Sequence, residues 1–177
     1  MPRSELACGA VERIKRLLDP SYIASLESLD IDSLRTMKAE CTDFELAVSY
    51  DRRLAQARIE ILEAERKRRD EGGSLEDLIS NLPNILGAEQ GRPSAPNARV
   101  ADPESPSIEL HWPDGRESLI DDSTLANLPG LADAELDGTI ASLQDLEREL
   151  SSVRHDLHGV IDEIEREIAA RQVAGTA

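Results

Sequence analysis

"LQDLERELSSVRHDLHGVIDEI", residues 143–164, places Leu143, Leu146, Leu150, Val153, Leu157, Val160 and Ile164 at alternating steps of three and four. That is the a/d spacing of a helix packed along one apolar seam. The seam extends back to Leu136, with Thr139 its one weak d position. A second seam reads Leu34, Met37, Cys41, Phe44, Val48, Ala55 and Leu62, interrupted at d by Asp51 and Arg58. Its a positions are 34, 41, 48, 55 and 62; those of the other seam are 136, 143, 150, 157 and 164, a constant offset of 102. Upstream, Leu26 and Leu29 match Leu128 and Leu131 at the same offset. The pattern reads as a degenerate duplication of one helix with a linker inserted. The expected fold is all-α: a long antiparallel two-helix coiled-coil hairpin with a Pro/Gly-rich linker and short accessory helices.

Punctuation in the chain sets the boundaries. Seven of the nine prolines fall between Pro83 and Pro129, among "EGGS", "GRPSAPN", "DPESPS" and "WPDG". Such residues stop helices and favour turns or extended chain. The expected organisation is an N-terminal short helix and connector over 1–29 and a coiled-coil helix over 30–72. A flexible Pro-rich linker follows over 73–131, then a second coiled-coil helix with a C-terminal tail over 132–177. Asp30 or Asp32 can open the first long helix, and Gly72 and Gly73 can close it in a left-handed cap. Within the linker, "SLEDLISNL" (74–82) predicts a short helix capped by Ser74, and "SIELHW" (107–112) a short extended piece. "SELACGAVERIKRLL", capped by Ser4, predicts an amphipathic helix that docks on a partner or frays.

Composition narrows the function. Aromatic residues make up 2% of the chain and charged residues 32%, with a net charge of −16. That charge argues against direct DNA or RNA binding, which is built on Lys and Arg neutralising phosphates, and favours a basic partner. Cys8 and Cys41 are too few for a disulfide framework or a zinc site. No stretch is apolar enough to suggest a signal peptide or a membrane span, so the expected setting is cytoplasmic, with no membrane partner. No phosphate loop, metal-ligand spacing or nucleophile elbow is present, so an enzyme is not expected, nor a metal or cofactor. His111, His155 and His158 form no ligand set, although His155 and His158 share a helical face.

The two seams carry matching polar residues beside them. Glu45, Ser49, Arg52, Gln56 and Glu60 recur as Glu147, Ser151, Arg154, His158 and Asp162, each pair 102 positions apart. On a helix these offsets confine five side chains to a stripe roughly 80° wide and about 22 Å long. In an antiparallel hairpin registered so that paired numbers sum to 199, Glu45 faces Arg154 and Arg52 faces Glu147. Two interhelical ion pairs would then account for four residues. Ser49, Ser151, Gln56 and His158 occupy b positions, which point away from the partner helix. A short hydroxyl beside an Arg, a Gln or His and a carboxylate suits a flat, guanine-bearing anion: Arg offers a planar face and a fork, and a carboxylate accepts from guanine N–H groups.

The doubled pattern E-x3-S-x2-R-x3-Q-x3-D resembles the signature of the RsiG family, cyclic-di-GMP-responsive anti-sigma factors of sporulating actinobacteria. The resemblance implies two antiparallel helices, each carrying one copy, that bind cyclic di-GMP as a dimer and thereby sequester the flagellar-class sigma factor WhiG, blocking transcription of its regulon. It assigns Glu45, Ser49, Arg52, Gln56 and Glu60 to one half of the nucleotide site. Glu147, Ser151, Arg154, His158 and Asp162 form the other. Two positions depart from the pattern: Glu60 replaces Asp, and His158 replaces Gln.

The competing reading is a nucleotide-independent coiled-coil adaptor, in which the e-position charges set register and the acidic surface keeps the protein soluble. Apolar residues outside the seams, Ile14, Leu17 and Leu18 near the N-terminus and Leu75, Leu78, Ile79, Leu82 and Ile85 in the linker, either contact the sigma factor or cap the hairpin ends. Trp112 anchors either the linker or a partner.

Overall fold

The computed structural model describes residues 11–87, 106–108, 110, 112, 115–121 and 125–174. Three helices dominate: α1, Ile31–Glu71, α2, Leu75–Gly87, and α3, Asp133–Ala174. Residues 11–17 are also helical, followed by one turn at Pro20–Ile23 and a 3-10 turn at Leu26–Ser28. Further 3-10 turns lie at Arg116–Leu119 and Leu128–Gly130. No strand occurs among the described residues. Ser4, Cys8, His111 and residues 88–105 lie outside them, as do two residues of the extended piece expected at 107–112.

Local chemistry explains where the helices begin and end. The Asp30 carboxylate accepts from the Ser33 N–H at 2.7 Å, satisfying one of the free amides that open α1. At its other end Gly72 takes φ +70°, while the Gly73 N–H reaches back to the Arg68 carbonyl at 2.9 Å. This is the left-handed glycine cap that the sequence predicts. The Glu135 carboxylate accepts from the Ala132 N–H at 2.9 Å and fixes the start of α3. α2 runs past the expected stop at residue 82 because Pro83 costs a helix one internal hydrogen bond without forbidding its continuation.

α1 and α3 pack against each other as an antiparallel helical hairpin, and the chain divides into two compact units. The first comprises Met1–Asp51, Pro106–Glu117 and Arg148–Ala177. Its core takes Leu34, Cys41, Phe44 and Val48 from α1 and Leu150, Leu157 and Ile164 from α3. Cross-helix contacts run in opposite directions along the two chains: Lys38 meets Glu165 and Arg154 meets Glu45. Val11, Ile14 and Leu17 are buried in this unit and Leu18 is half-buried. The N-terminal helix therefore docks on its own chain rather than presenting Ile14 and Leu17 to a partner. Arg13 and Arg16 secure it to Glu40 at 2.7 and 2.6 Å, and Arg13 stacks over Phe44. Arg171 donates to the carbonyls of Leu26, Glu27 and Leu29, tying α3 to the connector.

The second unit comprises Arg52–Ser105 and Ser118–Glu147. Ala55 and Leu62 of α1 pack with Leu136, Ile140, Leu143 and Leu146 of α3, and Leu78, Ile120 and Leu128 join the core. Here too the contacts are antiparallel: Arg52 meets Glu147, Glu63 meets Gln144 and Arg66 meets Asp137.

Three consecutive d positions of α1 are polar and buried: Asp51, Arg58 and Glu65. Each is engaged. In the first unit the Trp112 indole N–H donates to Asp51 at 3.3 Å, so Trp112 anchors the returning linker to its own helix. In the second, Arg58 donates to the Asp121 carbonyl at 3.5 Å. Glu65, 1% exposed, accepts from Arg68 at 2.7 and 2.8 Å and from Arg69 at 2.7 Å. Arg69 also donates to the Leu128 and Leu131 carbonyls and to Asp133. The network joins the end of α1 to the approach to α3. A buried charge persists only when paired and hydrogen-bonded in this way.

Phe44→Ala should destabilise the protein by about 3–5 kcal/mol in urea unfolding, since a fully enclosed ring leaves a cavity. The hydrogen bonds from Arg68, chiefly, and Arg69 hold the Glu65 carboxyl down at about 2, from 4.5. A carboxyl lowered on folding stabilises above its unfolded pKa. This contribution should therefore be full above about pH 4.5 and decay between there and about pH 2, in acid unfolding of wild type but not of Glu65→Gln. From 1.36 kcal/mol per pKa unit its ceiling is about 3 kcal/mol.

Candidate functional site

The e-to-e pairing expected from the heptads is the one observed. In the first unit, Arg154 Nε donates to Glu45 Oε1 at 3.0 Å and to Ser49 Oγ at 2.9 Å. Ser49 in turn donates to Glu45 Oε1 at 2.7 Å, and His158 Nε2 lies 3.2 Å from that same oxygen. In the second unit, Glu147 Oε1 receives Arg52 at 3.4 Å and Gln56 Nε2 at 3.0 Å.

The two clusters share one plan. Each is built on the glutamate that opens one copy of the repeat, and it gathers the arginine and the Gln or His from the other copy. Gln56 and His158 are thus equivalents by geometry as well as by spacing. They differ in chemistry. An amide always offers an N–H to the glutamate, whereas imidazole Nε2 does so only when it carries a proton. The contact becomes an ion pair only in the charged ring.

Ser49 departs from the heptad expectation. It is 7% exposed, folded beneath Arg154 and Glu45, rather than pointing away from the partner helix. A b position faces outward in a bare two-stranded coil, but here long side chains from both helices close over it. Ser49, Gln56 and His158, which interhelical ion pairing alone did not explain, all join the glutamate clusters. Ser151 and Glu60 are half-buried, and Asp162 is exposed.

Two buried atoms in the second unit stand out. Arg52 Nε and Gln56 Oε1, a donor and an acceptor one turn apart, have no hydrogen-bond partner in the protein. Buried polar atoms are normally satisfied, and this pair lies on the repeated polar stripe.

Elsewhere the chemistry is structural. Burial pushes the Cys41 thiol up to about 11, so it stays protonated at neutral pH. Burial, the neighbouring Cys41 and Glu40 also push the Tyr22 hydroxyl upward; it donates to Glu40 at 3.3 Å. Among the described residues no group of three His, Cys, Asp or Glu side chains is placed to hold a metal, and no helix is long and apolar enough to cross a membrane.

A two-helix antiparallel hairpin with a duplicated polar cluster defines the class. The profile of the RsiG-like family matches residues 20–86 and 122–177, and the chain belongs to that family. The family is one of anti-sigma factors rather than enzymes, and its members' partner is a sigma factor. No match was found among curated proteins.

A double-mutant cycle on Glu45→Ala and Arg154→Ala should give a coupling of about 0.5–1 kcal/mol in urea unfolding, the size expected of a partly exposed pair. A coupling near zero would mean that the pair contributes nothing to hairpin register.

Proposed function

We propose that this chain is a cyclic-di-GMP-responsive anti-sigma factor whose partner is a flagellar-class, WhiG-like sigma factor. The observation that carries the proposal is the reciprocal plan of the two clusters, in which each copy of the repeat supplies an arginine held beside a Gln or His. Such a pair suits a guanine nucleotide. The guanidinium offers a flat face for the base and a fork for its O6 and N7 or for phosphate. Glu60 and Asp162, at the far end of each copy, would accept from guanine N1 and N2. Arg52 Nε and Gln56 Oε1 are already desolvated and unpaired, so a nucleotide that bonds to them recovers a cost the folded protein carries.

Charge sets the mechanism. Cyclic di-GMP is a dianion and the chain carries −16, so two arginines that are already shared with glutamates bind it only weakly on their own. A basic sigma surface laid over the bound nucleotide offsets that field. Contact of one ligand with both proteins requires that each strengthen the other's binding by the same factor. The nucleotide then acts as an assembly switch, without catalysis.

The adaptor reading draws on the same ion pairs, which fix register whether or not a ligand binds. Ser151 separates the two. Lys at buried Ser49 would disturb the hairpin under either reading, whereas Ser151 is half-buried, so Ser151→Lys leaves more of the packing intact while obstructing a ligand surface.

Calorimetric titration of cyclic di-GMP at low salt, with sigma factor present, should give a guanine-selective signal that cyclic di-AMP does not reproduce. Arg52→Ala or Arg154→Ala should each weaken it by about 1.5–3 kcal/mol, ten- to over a hundredfold, as expected for lost charge-assisted bonds. Sigma binding that is unaffected by nucleotide, by these changes and by Ser151→Lys would establish the adaptor instead.

A further inference from the structure

α2 is apolar on two sides. Its inner side sends Leu78 into the core of the second unit, while Leu75 and Ile79, one turn apart, are 46% and 56% exposed. A helix that only caps its own hairpin would carry polar residues on that outer side. Val173 is the one other large apolar side chain so exposed among the described residues. On the inner side of α2, against the end of α1, lies a groove of about 470 Å³ in the second unit, lined by Leu78, Ala64, Asn81, Lys67, Arg68 and Glu71, among others.

The charges around the face have one sign available. α2 contains Glu76 and Asp77 and no basic residue, and exposed Asp70 and Glu71 end α1 next to it. The cations of the groove are already engaged: Arg68 with Glu65 and the Gly73 carbonyl, Lys67 with Glu71 at 3.9 Å. An apolar centre with an acidic rim, in which exposed Asp70 and Glu76 join the Lys67-paired Glu71, fits an apolar patch rimmed by Lys and Arg. Sigma factors bear basic surfaces because they engage promoter DNA.

We propose that the outer face of α2, centred on Leu75 and Ile79, is a docking surface for the sigma factor, separate from the nucleotide clusters. The proposal rests on the anti-sigma reading and not on the nucleotide. Apolar contacts supply affinity here, while the acidic rim speeds encounter and orients the partner.

The test titrates the flagellar-class sigma factor of the same genome, fluorescently labelled, with full-length chain at saturating cyclic di-GMP. Wild type is compared with Leu75→Glu/Ile79→Glu and the milder Leu75→Ala/Ile79→Ala, and sedimentation velocity is run on each protein alone. The Glu pair should weaken sigma binding at least tenfold and the Ala pair severalfold, with helical circular dichroism and nucleotide heat unchanged. Equal sigma affinity for all three proteins overturns the docking surface and leaves the anti-sigma reading intact. A wild-type dimer that the Glu pair dissociates without loss of sigma binding reassigns the face to self-association. Failure of wild type itself to bind the sigma factor removes the anti-sigma reading, and this proposal with it.

Discussion

Glu45 and Glu147 are the points on which the arrangement turns. Each draws an arginine across from the opposite helix, and that reach is possible only if α1 and α3 are antiparallel and correctly registered. The apolar seams alone do not fix this, because leucines spaced by sevens accept a slip of one heptad at modest cost. A one-heptad slip would carry Arg154 and Arg52 away from Glu45 and Glu147 together. The ion pairs are individually weak, as partly exposed pairs are, but they are charged against every wrong register.

The core compensates for what those seams lack. With aromatic residues at 2%, two helices alone enclose little, and the chain adds a third surface in each unit. The N-terminal helix and Trp112 cover the first, and α2, Ile120 and Leu128 cover the second. Asp51 and Arg58 tie the returning chain to α1 through polar bonds that an uninterrupted leucine seam could not offer. Removing one partner would leave a buried group unsatisfied, a larger penalty than the bond itself contributes.

These roles mark how far the sequence could be read. The constant offset of 102 exposed the duplication, the two long helices and even the pairing of Glu45 with Arg154, because helical periodicity and charge are local properties. Asp51 and Arg58 looked like defects, since their partners arrive from far along the chain, in a segment whose path no periodicity encodes. Glu65, the next d position, escaped notice for the opposite reason. Its partners Arg68 and Arg69 lie within one turn, in a run of charges that the seam's periodicity does not set apart. The amphipathic stretch before Pro20 showed that it had an apolar face but not what would cover it. Ser49 was misjudged because heptad letters describe the backbone and ignore the reach of Glu and Arg.

The glutamates also shape how a nucleotide would enter. In the nucleotide reading, an anion arriving at Arg154 meets a guanidinium whose Nε already serves Glu45 and Ser49, so binding exchanges existing bonds for new ones. At Arg52 the existing bond is longer, 3.4 Å, and Nε is unclaimed, so less is surrendered. In that reading the two copies, alike in sequence, are unequal as acceptors, and the cluster built on Glu147 would be the easier one to occupy. His158 adds to the inequality: Gln56 donates an amide N–H to Glu147, whereas His158 Nε2 lies 3.2 Å from Glu45 without a hydrogen bond to it. A duplicated helix thus need not give a symmetric response, and the departure from Gln at residue 158 sits where the two halves can be told apart.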